Sequence, residues 1–104
     1  MRTLLTTTTF DAWFSELRDG NAKARIAARL RRAELGNMGD CEPVGQGVSE
    51  MRIHYGPGYR VYFIQRGVEL VILLAGGDKS TQSKDIKTAL DLASQQQKIS
   101  TGSL

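Results

Sequence analysis

Three apolar, strand-like runs follow one another between residues 48 and 75, and they constrain the fold more than any other feature. Their sequences are VSEMRIHY, YRVYFIQ and VELVILLA. The connections between them are short turns, GPG at 56–58 and RG at 66–67. Because turns this short join only neighbouring antiparallel strands, we expect the three runs to form a meander in one sheet.

A helical hairpin is predicted before these strands. The segment TFDAWFSELRD spaces its apolar residues as one stripe of a helix, and Thr8 or Thr9 is the expected N-cap. The turn DGN at 19–21 separates it from a second helix, AKARIAARLRRAEL, which Gly36 is expected to terminate. Such a brief connection places the two helices side by side.

The second helix carries two distinct faces. Ile26 and Leu30 lie on an apolar face, whereas three arginines share another face at helical spacing: Arg25, Arg29 and Arg32. A row of arginines on a helix is either a solvated surface or part of a nucleic-acid groove, and we favour the solvated surface.

The remaining segments complete an α+β domain. RTLLTTT is predicted as a first strand, residues 36–47 as the longest and most mobile loop, and SKDIKTALDLASQQQ as a last helix. The predicted order is β-α-α-β-β-β-α, with the helical hairpin packed on a small, mainly antiparallel sheet and a C-terminal helix. We expect a single domain over residues 1–104, with a flexible tail at about 98–104.

Composition limits the chemistry and the partners. The chain of 104 residues has a net charge of +3 and a pI of about 9.3, which favours acidic partners such as nucleic acid. Cys41 is the only cysteine and His54 the only histidine, so we expect no disulfide, no metal site and no cofactor. The N-terminus lacks the apolar core of a signal peptide, and no apolar run reaches the length of a membrane span. We expect a cytoplasmic protein that does not bind a membrane.

Strand alternation predicts a cationic patch around the GPG turn. If Tyr55 pairs with Tyr59, Ile53 faces Val61 on the buried side of the sheet. On the other side, His54 then lies opposite Arg60, and Arg52 lies opposite Tyr62. Clustered cations repel one another, and Glu50 is the nearest acid that can offset them.

The loop before the last helix is predicted to add a further cation to this patch. If Gln65 pairs with Val68, the loop after Leu74 emerges near Arg60 and carries Lys79. Its sequence, GGDKST, does not fit a phosphate-binding P-loop, because Asp78 stands where that motif requires glycine before the lysine. The patch therefore indicates an anion site of another kind.

The hairpin SEMRIHYGPGYRVYF, together with VILLAGGDKSTQSKDIKTA, resembles the signature of the RelE/ParE toxin superfamily, and is closest to the HigB-like addiction-module killer proteins. The resemblance covers nearly the whole chain. It implies a RelE-like fold and a toxin neutralised by a cognate antitoxin, which is typically a helix-turn-helix protein. DNA would then be contacted only indirectly, through the antitoxin. RelE-like members cut mRNA in the ribosomal A site, whereas ParE-like members share the fold and poison DNA gyrase.

The resemblance also implies roles for individual residues in a metal-independent mRNA endonuclease. Arg60 is assigned to the scissile phosphate, Lys79 to the charge of the transition state or the leaving oxygen, and Arg52 to the RNA backbone. His54 is a candidate base. The candidate substrate-binding residues are Tyr59, Tyr62 and Lys84.

One departure from the family leaves the general base open. Several RelE-like enzymes carry a functional tyrosine or histidine on the last helix, but no aromatic residue or histidine follows Phe63 here. Either His54 or Tyr62 takes that role, or the ribosome positions the substrate for a site made mainly of cations. A gyrase inhibitor without nuclease activity, and a degenerate toxin kept as a binding partner, are the alternative functions.

Overall fold

The computed structural model describes the backbone of residues 1–102 and the side chains of residues 1–95. The helices are α1 (Thr8–Glu16), α2 (Gly20–Glu34) and α3 (Gln82–Gly102), and a 3₁₀ turn at Lys79–Thr81 leads into α3. The strands are β1 (Thr3–Thr6), β2 (Cys41–Gly45), β3 (Val48–Ile53), β4 (Tyr59–Arg66) and β5 (Leu70–Gly77). The predicted α+β class is confirmed, while the predicted tail at 98–104 falls outside the residues whose side chains are described.

The strands form one mixed sheet with helices on both faces. Its order is β1-β5-β4-β3-β2, in which only the β1–β5 pair is parallel. On one face, α1 and α2 pack on the side chains of β3 and β4 that were predicted to be buried: Ile53, Val61 and Phe63. On the other face, α3 covers Tyr62, Ile64 and Leu74. The polar side of the predicted hairpin is therefore partly roofed by α3 rather than open.

The caps of the helical hairpin follow from short polar side chains. Thr7 is the N-cap of α1: its hydroxyl accepts from the Phe10 N–H at 3.1 Å and donates to the Leu74 carbonyl at 2.6 Å. The prediction of Thr8 or Thr9 as the cap was wrong by one or two residues, because Thr7 also bonds to β5. Asp19 caps α2 by accepting from the Asn21 and Ala22 amides.

The predicted loop at 36–47 contains a strand, and the predicted element order was therefore incomplete. Residues Cys41–Gly45 form β2, which pairs antiparallel with β3 at the edge of the sheet. Pro43 lacks a donor, and an edge strand accommodates this because one side has no partner strand. The tight connection at Gln46 and Gly47, both at positive φ, returns the chain into β3.

Both strand registers predicted for the meander were wrong. Ile53 pairs with Tyr59 rather than Val61, because residues 54–58 form a five-residue loop instead of a three-residue turn. Gln65 pairs with Val71 rather than Val68, and the register shifts at Tyr62 and Phe63. Since the first error is two residues, the side chains within β3 and β4 keep the faces assigned to them by alternation, whereas His54, which lies beyond the end of β3, does not.

The consecutive glycines at the end of β5 permit two close approaches of side chains. A Cβ atom on Gly76 would overlap the Trp13 ring of α1, and a Cβ on Gly77 would overlap the Asp85 carboxylate of α3. Asp78 then caps the 3₁₀ turn by accepting from the Ser80 amide at 2.8 Å. The GGD sequence is thus a structural device that fixes the position of Lys79.

The predicted C-terminal helix is amphipathic. Its apolar side chains face the sheet, with Ala89 and Ala93 buried and Ile86 and Leu90 packed beside them. Among the described residues, no helix combines the length and the apolar character needed to cross a membrane.

Candidate anion-binding site

A buried carboxylate organises the polar end of the sheet. Glu50 of β3 is 1% exposed, and both of its oxygens are engaged. Oε1 accepts from Arg52 Nε at 3.1 Å. Oε2 accepts from the Tyr62 hydroxyl at 3.2 Å and from Gln82 Nε2 at 2.8 Å, and lies 3.4 Å from Arg60 Nε. We name these five residues the Glu50 cluster.

Strand pairing brings the two arginines of the Glu50 cluster together. Arg52 lies directly opposite Arg60, and Glu50 lies directly opposite Tyr62. Like charges on opposing residues repel, so the cluster requires an acid between them. Glu50 supplies it, as the sequence predicted.

Arg60 is held in a fixed position at the end of β4. Its side chain is 13% exposed, and Nη1 donates to the Gly58 carbonyl at 2.8 Å. Nε is buried and approaches Glu50 without the geometry of a hydrogen bond. A guanidinium fixed in this way is oriented before a ligand arrives, so the binding energy is not consumed in ordering it.

Lys79 also lies beside the GPG segment. Its backbone N–H donates to the Pro57 carbonyl at 3.4 Å, and its Cβ lies 3.6 Å from the position that a Cβ on Gly58 would occupy. Its side chain is exposed. Gly58 therefore lies beside both Arg60 and Lys79, and the structure brings these two predicted residues together.

Arg52 is less available for a ligand than predicted. Besides its bond to Glu50, its Nη2 pairs with Glu42 of β2, a strand that the sequence did not predict. The side chain remains 33% exposed. Arg52 therefore contributes a positive charge that Glu42 and Glu50 partly compensate.

His54 lies away from Arg60, contrary to the predicted register. The five-residue loop carries it out of the sheet, where Nε2 lies 2.6 Å from Asp40 Oδ2. This hydrogen bond is the main reason that the pKa of Asp40 is lowered, with smaller contributions from nearby arginine charges. His54 is exposed and lies beside α2 rather than α3.

Neither candidate tyrosine offers a ring face to a ligand. Tyr62 is fully buried, and burial, with the Glu50 charge next, raises the pKa of its hydroxyl. Tyr59 is 9% exposed and packs edge-on to Trp13, and its pKa is raised first by burial. Stacking on a base requires an open ring face, so the two tyrosines serve here as packing residues. Lys84 is exposed in the first turn of α3.

The sequence reading missed Gln82 and Glu42 as parts of the site. Gln82 follows the capped 3₁₀ turn, and the spacing of Asp78 to Thr81 was a usable signal for that turn. Glu42 had no comparable signal, because its strand is rich in turn-forming residues. Within the described residues, no group of three or more histidine, cysteine or acidic side chains is arranged to hold a metal ion.

Chemically, the site can bind and stabilise a phosphate. The cationic donors Arg60 and Lys79 both lie beside Gly58, and the capped 3₁₀ turn fixes the backbone that carries the lysine. Such donors act most strongly on an oxyanion when they are preorganised.

A family model decides the relationship of the chain to known proteins. The model, described as phage-derived protein Gp49-like (DUF891), matches residues 12–98. The chain belongs to the Gp49-like family. Membership indicates a toxin-like protein of an addiction module, for which an antitoxin is the expected partner.

A relative from Haemophilus influenzae (strain Rd) is 56% identical over 88 residues, which is 85% of this chain and 89% of the relative. That relative is described as an uncharacterized protein. No solved structure matches the chain. These comparisons show the Gp49-like family, and membership of the RelE/ParE superfamily stays a prediction.

Proposed function

We propose that the protein is the toxin of a type II toxin–antitoxin system that cleaves mRNA on the ribosome and is neutralised by a cognate helix-turn-helix antitoxin. The observation that carries the proposal is the convergence of Arg60 and Lys79 on Gly58, beside the Glu50 cluster. Toxin-like family membership supports the biological setting.

In the proposed reaction, the 2′-hydroxyl of the RNA attacks the adjacent phosphorus. The 2′-O–P bond forms and the P–O5′ bond breaks, leaving a 2′,3′-cyclic phosphate and a 5′-hydroxyl. Arg60 contacts the phosphate oxygens, on which negative charge accumulates in the transition state. Lys79 gives a proton to the departing 5′ oxygen, and Lys84 contacts the strand beyond it.

The sequence offers Tyr62 and His54 as candidates for the general base. The hydroxyl of Tyr62 is buried, donates to Glu50 and has a raised pKa, and all three properties oppose proton abstraction. His54 is exposed and its ring is oriented by Asp40, as imidazoles often are in acid–base sites. It leaves the sheet directly after Ile53, which pairs with Tyr59 next to Arg60. However, His54 lies beside α2, on the opposite side of the sheet from Arg60, so we propose that a group of the ribosome, rather than His54, acts as the base.

A gyrase inhibitor without nuclease activity is the second candidate. The observation that favours it is the extent of charge compensation, since Glu42 and Glu50 together engage Arg52 and Glu50 also lies against Arg60. Charges paired in this way are equally suited to support a protein-binding surface. In that case Lys79 would be an interface residue.

Cell-free translation with primer extension on the mRNA separates the two candidates. We expect ribosome-dependent cuts with the wild type, and about 10²- to 10³-fold slower cutting with Arg60→Ala or Lys79→Ala. Arg31→Ala is the matched control, because Arg31 is an exposed arginine of α2 paired only with Glu34. Intact mRNA together with gyrase-dependent DNA breaks would contradict the nuclease proposal.

A further inference from the structure

A groove on the opposite side of the sheet from Arg60 contains the arginine face of α2, which has no role in the proposed reaction. It lies between α2 and the loop after β3 and has a volume of about 330 Å³. It is lined by one face of α2, by the last residue of β3 and by the first two residues of the loop after it: Arg25, Ala28, Arg29, Arg32, Ile53, His54 and Tyr55. This volume is at the lower end of the range of about 300–1,000 Å³ typical of small-molecule sites.

The arginines of the groove are not all free. Arg29 is committed to the fold, because its guanidinium donates to the Arg52 carbonyl and, at 3.0 Å, to the Met38 carbonyl. Arg25 and Arg32 are exposed, and among the described residues no carboxylate lies within ion-pair distance of either. Two uncompensated cations therefore point to an anionic ligand.

Tyr55 adds a planar surface to this charge. The Arg25 guanidinium lies 4.6 Å from the centroid of the Tyr55 ring. A second hollow of about 490 Å³ shares Arg25, Ala28 and Tyr55 with the groove, so the stacked pair borders both spaces. Aromatic rings beside arginines in a positive groove are the combination that binds unpaired bases and phosphates of single strands.

We infer that this groove, defined by Arg25, Arg32 and Tyr55, binds single-stranded RNA. Arg25 and Arg32 take successive phosphates, and the Arg25–Tyr55 stack receives a base. The inference rests on the proposed function for the identity of the RNA, which is the strand held at Arg60. The loop at 54–58 connects the two places, since Tyr55 lines the groove and the Gly58 carbonyl accepts from Arg60.

Binding of a short, fluorescently labelled 2′-O-methyl oligoribonucleotide tests the inference without cleavage, because the attacking hydroxyl is blocked. We expect Arg25→Ala and Arg32→Ala each to weaken binding about three- to tenfold, and to reduce the salt slope by about 0.7 each. Tyr55→Ala is expected to weaken binding about tenfold, whereas Tyr55→Phe keeps the stack and most of the affinity. Arg31→Ala, on the same helix, should stay within about twofold of the wild type.

Three results of these measurements would contradict one of the two proposals. If Arg25→Ala and Arg32→Ala bind as tightly as Arg31→Ala, the groove does not bind RNA. If inorganic polyphosphate competes as well as an RNA of equal charge and Tyr55→Ala has no effect, the groove is a general anion surface and the inference fails. If the groove variants lose oligonucleotide binding while the wild-type protein leaves the mRNA uncut in translation, only the nuclease proposal fails. The two failures are therefore distinguishable.

Discussion

The arginines on the two sides of the loop at 54–58 have opposite surroundings. Arg60 is nearly buried beside Glu50, and Arg52 is paired with both Glu50 and Glu42. Arg25 and Arg32 are exposed and have no acid partner within the described residues. A buried, compensated cation has a fixed geometry, whereas an exposed, uncompensated cation contributes affinity that depends on salt. The same residue type thus serves orientation on one side of the sheet and attraction on the other.

Removal of the buried acid is expected to have the largest effect on stability. Glu50→Ala leaves the nearly buried charge of Arg60 without its acid partner. We expect a loss of about 3–5 kcal/mol in the free energy of unfolding, measured in urea. Glu42→Ala is the matched control, since Glu42 is 57% exposed and pairs with the same Arg52, and it should cost less than about 1 kcal/mol. Equal losses for the two variants would show that Glu50 is not the organising residue.

Replacement of Arg29 tests whether this arginine of α2 stabilises the fold. Its guanidinium bonds to two backbone carbonyls, so Arg29→Ala should lower the free energy of unfolding by about 2 kcal/mol. Arg31→Ala should change it by less than about 0.5 kcal/mol. If Arg29→Ala left the free energy of unfolding unchanged, the division of the arginine face into a structural part and a ligand-binding part would be wrong.

The Glu50 cluster also predicts a loss of stability at alkaline pH. Burial and Glu50 raise the folded-state pKa of Tyr62 above its unfolded value of about 10, so the unfolded chain releases the proton first. This contribution is complete below pH 10 and falls above it, by up to about 1.4 kcal/mol per pH unit. The measurement is urea unfolding between pH 9 and 11, and Tyr62→Phe should flatten the slope. An unchanged slope in that variant would refute the assignment.

The exposed pair of His54 and Asp40 is expected to have the smallest effect on stability, and to have it at acid pH. The hydrogen bond from His54 lowers the pKa of Asp40, so the stability it provides is present above the unfolded pKa and lost as the pH falls. His54→Ala should move the Asp40 carboxyl titration, followed by NMR, back towards its ordinary value. The free energy of unfolding near pH 7 should change little, because both side chains are exposed. A titration unaffected by the substitution would mean that the pair does not form in solution.

Periodicity alone was enough to predict most of the fold. The helical spacing of Phe10, Trp13 and Phe14 placed these side chains on the correct face, and so did the alternation within β3 and β4; His54, beyond the end of β3, is the exception. The prediction that Glu50 offsets the arginines succeeded for the same reason, since alternation survives an error of two residues in register.

Long-range geometry was not available from the sequence. The strand at Cys41–Gly45 contains Pro43 and Gly45, which disfavour strands, and is stabilised by its pairing with β3 rather than by propensity. Loop length and the irregularity at Tyr62 set the registers, which moved His54 from Arg60 to Asp40. The close packing of Trp13 on Gly76 depends on helix placement, which local patterns do not encode.

Single-turnover cleavage of mRNA over a range of ribosome concentrations tests the proposed division between orientation and attraction most directly. For Arg60→Ala we predict a maximal rate lowered by about 10²-fold or more, with the half-saturating concentration nearly unchanged. For the Arg25→Ala, Arg32→Ala double variant we predict a higher half-saturating concentration and a nearly normal maximal rate. If both variants lower the maximal rate alike, or if neither changes cleavage, the two sets of arginines do not have the separate roles assigned to them.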